Sequence, residues 1–222
     1  EQAEYDNKKM KCSNGDACAP YRRLSLCNKS MEKMDTNNND GKAKRDLLAE
    51  VCLAAKHEGN SINTHYQKYQ AQYASSVSPS QICTMLARSF ADIGDIVRGK
   101  DLYRGNSKEK KQRKQLDDNL KTIFDKIKKS DKKLTSLNDD QIREYWWALN
   151  RETVWKAITC NAWGDTYFRP TCSDRNGSFS QANNYCRCGD DKPGEDKPNI
   201  DPPTYFDYVP QFLRWFEEWA ED

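Results

Sequence analysis

Nine cysteines, two histidines and several runs of lysine are the residues of this 222-residue chain with chemistry to offer. The cysteines stand at 12, 18, 27, 52, 83, 160, 172, 186 and 188. That density belongs to an oxidising compartment, where cysteines form disulfides rather than metal-binding thiolates. None forms a CxxC pair, and only His57 and His65 could add imidazole, so no zinc centre is expected. The count is odd, so at least one cysteine has lost its partner, pairs between chains or stays free. Cys83 opens one apolar-striped segment and Cys160 closes another. A bridge between them would staple two helices across a long loop, which the chain-entropy model credits with about 4 to 5 kcal/mol. Cys12 and Cys18 suit a local loop. Cys186 and Cys188 suit separate partners such as Cys52 and Cys172, and spacing alone leaves the connectivity open.

Catalytic patterns are missing. The histidines lie on surface-like helical stretches with no triad spacing, and GxGxxG, Walker and HExxH motifs are all absent, so neither an enzyme nor a cofactor is expected. The run "MDTNNNDGKAKRD" has the look of a calcium loop. With Gly41 as its glycine, however, Thr36 falls at the first ligand position and Leu47 where a bidentate Glu belongs. It reads as a polar loop.

The basic clusters offer more. Lys108, Lys110, Lys111, Arg113 and Lys114 precede an apolar-striped segment, while Lys126, Lys128, Lys129, Lys132 and Lys133 follow it; Arg22 and Arg23 form a third pair. Such clusters gather sulfates or phosphates in a salt-dependent way. Glu109, Asp117, Asp118 and Asp125 lie among them, so the competing reading is a solvated helical face. The whole chain has 36 Lys plus Arg against 34 Asp plus Glu, net charge +2, so any attraction is local. The aromatics stand at core spacing and do not interleave with the lysines, which favours a sulfated glycan over nucleic acid.

The elements that must hold these residues are helical. Leu47, Val51 and Ala54 stripe a short helix ending near Gly59, and Ile62, Tyr66, Tyr69, Tyr73 and Val77 stripe a second. Cys83, Leu86, Phe90, Ile93 and Val97 stripe a third that starts near Ser78 and Pro79. Within it, Gly94 suits a close helix approach, and Asp92 and Asp95 fall off the stripe with no acid partner or ligand set. A basic connector, 104–114, leads to a helix striped by Leu116, Leu120, Ile123, Phe124 and Ile127. Asp139 or Asp140 then caps a helix whose broad face is Ile142, Tyr145, Trp146, Leu149, Val154, Trp155 and Ile158. Residues 161–203 form a long cysteine-bearing loop. A last helix near Pro210 carries Phe212, Leu213, Trp215, Phe216 and Trp219 and is expected to be buried on most sides. With 36% hydrophobic residues, no run approaching the roughly 20 of a membrane span and no alternating strand pattern, the fold class is mainly α.

Four blocks, "CAPYRRLSLC", "ARSFADIGDIVRGKDLY", "REYWWALNRETVWKAITC" and "VPQFLRWFEEWAED", together resemble a Duffy-binding-like domain of the alpha class, from the Plasmodium falciparum erythrocyte membrane protein 1 family. The resemblance covers essentially the whole chain. It implies a disulfide-stapled helical fold with an irregular subdomain one over 1–46 and a helical subdomain two over 47–222, the third subdomain being absent. It implies Cys12 paired with Cys18, Cys83 with Cys160, and Cys27 directed to a cysteine upstream. It also implies a non-enzymatic adhesin on the extracellular face of the infected erythrocyte. Partners would be host erythrocyte or endothelial receptors, a sulfated glycosaminoglycan or blood-group glycan, and antibodies, with no membrane insertion by this segment. Rosetting through heparan sulfate-like chains or complement receptor one belongs to the same implication, and the alternative is an antigenically variable head piece that leaves binding to the missing subdomain or to neighbouring domains.

Overall fold

Helical periodicity and two capping boxes account for most of the architecture. The computed structural model describes residues 18–36, 41–72, 81–164, 170–173 and 178–221. Along them run α1 (Tyr21–Leu24), α2 (Lys29–Glu32), α3 (Ala43–Gln72), α4 (Gln81–Arg98) and α5 (Ser107–Ser130). A 3-10 turn (Lys132–Leu134), α6 (Asp139–Ile158), the strands β1 (Cys172–Ser173) and β2 (Phe179–Ser180), a second 3-10 turn (Phe206–Tyr208) and α7 (Gln211–Glu221) follow. The strands form a minimal antiparallel pair with Cys172 opposite Ser180.

α4 is the central element. Ile82, Cys83, Leu86, Phe90, Ile93 and Val97 are buried, and so is every residue from Leu86 to Arg98, polar ones included. α3 and α6 pack on it through Val51, Ala54, Trp147 and Trp155, and α5 packs in turn on α3 and α6 through Leu120 and Phe124. Gly94 is what lets α6 close on α4, because a β-carbon there would lie 2.7 Å from Trp147 Cζ2. The sequence reading of this glycine therefore holds.

Gly59 does not end a helix. α3 continues through it to Gln72, and a β-carbon on Gly59 would fall 1.9 Å from the Ile158 carbonyl oxygen. Glycine serves here as a helix-crossing point, and the gain in packing outweighs its propensity cost of about 1 kcal/mol. The sequence from Ser107 to Lys114 is likewise not a connector but the first turns of α5. Asn106 Oδ1 accepts from the Lys108 and Glu109 amides at 2.9 and 3.1 Å, and Glu109 Oε2 accepts from the Asn106 amide at 2.6 Å. That reciprocal cap satisfies the open amides of the first turn and starts the helix amid like charges. On α6 the cap is Asn138, paired reciprocally with Gln141, rather than Asp139 or Asp140.

The disulfides correct a second expectation. Cys83 pairs with Cys186, 103 residues away, and Cys172 pairs with Cys188; Cys160, expected to pair with Cys83, is free, as are Cys27 and Cys52. The cause is how the 183–191 loop folds onto α6. Trp155 Nε1 donates to the Cys186 carbonyl at 2.9 Å, and Arg187 donates to Thr159 Oγ1 and the Lys156 carbonyl at 2.9 and 2.8 Å. Those contacts place Cys186 over α4. Cys18 is disulfide-bonded, whereas Cys12 lies outside the described residues, as do Ser78, Pro79, Tyr73 and Val77. Cys186 and Cys188 do take separate partners, one of them Cys172 as the spacing suggested.

Two apolar faces also differ from expectation. Tyr145 and Leu149 of α6 are exposed, while Arg143, Asn150 and Arg151 are buried. On α7 only Trp215 among the expected apolar residues is fully buried; Phe212, Leu213 and Phe216 face solvent. No helix among the described residues is long and apolar enough to cross a membrane.

Candidate anion-binding surface

The clustered cations separate into internal counter-ions and free surface charges. Arg22 and Arg23 are internal, which removes them as glycan contacts. Arg22 donates to Asp92 Oδ2 at 2.8 Å and reaches Glu218 through Nε at 3.0 Å and Nη2 at 2.9 Å. Arg23 binds Asp101 Oδ2 at 2.5 Å. Burial opposes the charge on both guanidiniums, but Asp92 with Glu218, and Asp101, hold them protonated above the ordinary arginine value. A buried cation needs such partners, since desolvation costs several kcal/mol per ion.

Asp101 is the hub beneath the surface. It accepts from Arg23, from Arg113 Nη2 at 2.9 Å and from Gln211 Nε2 at 2.9 Å. The Arg23 and Arg113 guanidiniums also lie over the Tyr103 ring, at 4.7 and 5.4 Å from its centroid. Arg113 is thereby half-spent, neutralised by Asp101 and only a quarter exposed. Burial outweighs Asp101 there and lowers its pKa.

Along α5 the remaining lysines follow the same division. Lys126 and Lys128 bend onto the chain, donating to the carbonyls of Thr36 and Leu137 at 2.5 and 2.6 Å. Lys114 and Lys129 sit beside Asp118 and Asp125, one turn away on the same face. Lys108, Lys110 and Lys111 have no ion-pair partner among the described residues, nor do Lys132 and Lys133 beyond the far end of the helix. The 24 residues of α5 make a rod of about 36 Å. The two free groups are therefore separate patches about 30 Å apart, not one continuous stripe.

The first patch adjoins two clefts. One, of about 660 Å³, is lined by Arg104, Asn106, Lys110 and Lys114. The other, of about 840 Å³, is lined by Lys29, His57, Lys108 and Gln112. Arg23, Asn28, Asn106 and Arg113 border both, so the clefts flank the start of α5. Cys27 opens into the second, where burial and then Glu58 push its thiol up to about 12. The side chains of Lys108, Lys110, Lys111 and Arg104 together form a cationic surface suited to an anion, the amides of the first turn being already held by the Asn106–Glu109 cap. Sequence reading missed Arg104, because it stands outside the lysine runs. It also missed Asp92, Asp95 and Asp101, which gather Arg22, Arg214, Arg23 and Gln211 from 70 or more residues away. Among the described residues no group of acids, histidines and cysteines could hold a metal.

Comparison with known proteins gives a consistent family. The Duffy binding domain model matches residues 16–214. The crystal structure of the NTS-DBL1(alpha-1) domain of P. falciparum membrane protein 1 from the varO strain is 37% identical, with a TM-score of 0.71 over 99% of this chain and 46% of that one. A PfEMP1 DBLβ domain bound to human ICAM-1 is 29% identical, with a TM-score of 0.63 over 98% of this chain and 42% of that one. The P. falciparum erythrocyte binding antigen 140 shares the fold at 20% identity and a TM-score of 0.60 over 100% of this chain and 29% of that one. No curated protein sequence matches. The chain spans less than half the length of these solved relatives.

Proposed function

Because the chain belongs to the Duffy-binding domain family as a PfEMP1-type Duffy-binding-like domain, we propose that it is a host-receptor adhesion module engaging a sulfated glycan through the start of α5. Lys108, Lys110 and Lys111, with Arg104 and Lys114 at the cleft rim, supply the charge. Lys132 and Lys133 supply a second, weaker patch. The observation that carries this reading is that Lys108, Lys110 and Lys111 have no ion-pair partner among the described residues, and Lys108 and Lys110 line clefts of about 840 and 660 Å³ at the start of α5. A flexible sulfated chain meets no rigid shape requirement there, and its affinity comes from counter-ion release.

The same reading places the module on the extracellular face of the infected erythrocyte, consistent with disulfides at Cys83 and Cys172. It divides the chain into subdomain one (1–46) and subdomain two (47–222). A heparin column tests it. The protein should elute above physiological salt, and changing Lys108, Lys110 and Lys111 to Glu should shift elution well below it, whereas changing Lys132 and Lys133 should shift it less. Unchanged elution of the first variant overturns the site. If rosettes form only with a longer polypeptide, the head-piece reading stands instead, favoured by the short span of this chain against its relatives.

A further inference from the structure

Arg113 differs from the lysines around it, being mostly buried and yet only partly compensated. Its side chain is 25% exposed and donates through Nη2 alone, to the Asp101 carboxylate at 2.9 Å and the Asp101 carbonyl at 3.1 Å. Nε and Nη1 have no hydrogen-bond partner among the described residues. Asp101 is not a counter-ion for Arg113 alone, because Arg23 holds the same carboxylate through Nε at 3.2 Å and Nη2 at 2.5 Å. One negative charge thus serves two guanidiniums. Burial first, then Arg23 and Arg104, oppose the charge on Arg113, and Asp101 with Tyr103 does not offset them. The other acids lining the two clefts are committed elsewhere. Glu109, one turn before, takes the Asn106 amide at 2.6 Å and the Tyr103 hydroxyl. Asp117, one turn after, pairs with Lys121 at 2.7 Å and Arg143 at 3.5 Å, and Glu32 faces Lys29 and Lys33.

A charge desolvated this far without a full counter-ion is unfavourable in the free protein, and an external anion relieves it. The position is open to one. Arg113 borders both clefts together with Asn106 and with Asn28, whose side chain makes no cap hydrogen bond to α2. Lys110 lines the cleft on one side and Lys108 the cleft on the other. We infer that Arg113 is the anchor of the glycan site, holding one oxyanion, a sulfate or a carboxylate of the sugar chain, on the ridge where the two clefts meet. Lys108 and Lys110 then supply charge to the chain on either side. The inference rests on the glycan reading above and adds that the site reads the position of one group, not total charge alone. A guanidinium suits that task, since its fixed N–H fork sets the direction of an oxyanion where an ammonium acts as a point charge.

Calorimetric titration of the 222-residue chain with a heparin-derived hexasaccharide, repeated at several salt concentrations, tests this. Arg113→Lys keeps the charge and loses the fork, so affinity should fall about tenfold. The slope of log affinity against log salt, which counts ionic contacts, should stay the same. Lys111→Gln should instead lower affinity by about two- to threefold and reduce the slope by about one contact. A parallel titration with an unsulfated uronic-acid chain of the same length assigns the group. Sensitivity to Arg113→Lys in both chains marks a carboxylate, and sensitivity in the sulfated chain alone marks a sulfate. Unchanged affinity of Arg113→Lys for the sulfated hexasaccharide overturns the anchor and leaves the glycan reading standing, whereas absence of binding by the unaltered protein removes both. Melting separates an anchor from a structural ion pair. Without ligand, Arg113→Gln should melt no lower than the unaltered protein, because Asp101 keeps Arg23 and Gln211. Saturating hexasaccharide should then raise the melting temperature of the unaltered protein more than that of the variant. A variant that melts clearly lower without ligand assigns Arg113 to the fold and also overturns the inference.

Discussion

Asp92 and Asp95 lie one turn apart on α4, share Arg214, and titrate in opposite directions. Burial raises the Asp92 carboxyl, but Arg22 and Arg214 outweigh it and hold the group at about 2. Asp95 is raised to about 6 from 3.8, first by burial, because Arg214 and Arg98 do not fully offset it and Asp92 adds repulsion. The signs follow from linkage. Asp92 binds its proton less tightly when folded, so its stabilisation is complete above the ordinary carboxylate value and is lost as pH falls towards 2. Asp95 binds its proton more tightly when folded, so its contribution is greatest below that value and declines as pH rises through about 6. In denaturant titrations across pH, Asp95→Asn should remove the decline approaching pH 6 and leave the acid limb intact. Asp92→Asn should cost about 3 to 5 kcal/mol at neutral pH, because it leaves two buried guanidiniums short of an anion. The sequence places both aspartates off the apolar stripe with no paired acid or ligand set. The partners of Asp92, Arg22 and Arg214, stand 70 and 122 residues away, beyond any local pattern, and Asp95 adds to its neighbour Arg98, three residues on, the same distant Arg214.

At the scale of elements, the site depends on where α5 begins. The lysines that remain free ride on its first two turns, and the Asn106–Glu109 box starts those turns. Asn106→Ala should cost about 1 kcal/mol. Circular dichroism should show a small loss of helix, and heparin elution should move to lower salt because Lys108 and Lys110 lose their fixed spacing. Helix crossings impose a stricter condition. Gly59→Ala would drive a methyl into the Ile158 backbone, which cannot swing aside as a side chain can, and should cost about 3 kcal/mol in chemical unfolding. Periodicity found the apolar stripes of α4 and α5 because each carries one continuous apolar face, even though α4 buries its polar residues as well. It broke α3 at Gly59 and read the start of α5 as a connector, because a crossing glycine looks like a stop and a capped lysine run looks like a linker.

Across the whole molecule, α4 is the hub to which the ends of the chain are tied. Arg22 from α1 and Arg214 from α7 meet on Asp92, Asp207 holds Arg151 and Trp147 of α6, and Cys186 fastens the long loop to Cys83. Peptide mapping without reduction should recover Cys83–Cys186 and Cys172–Cys188 and no Cys83–Cys160. Reduction should lower stability by about 4 to 5 kcal/mol for the 103-residue closure, read as a fall in melting temperature. The sequence by itself determined the helical class, the family and where the lysines cluster, because apolar period, the four blocks and local charge are written within a turn or a short window. Only the tertiary structure decided which cations are spent on internal acids, which cysteines meet, and that α7 turns its phenylalanines outward. Each of those outcomes depends on which distant residue arrives alongside, and burial changes the worth of a charge or a thiol more than its neighbours in sequence do.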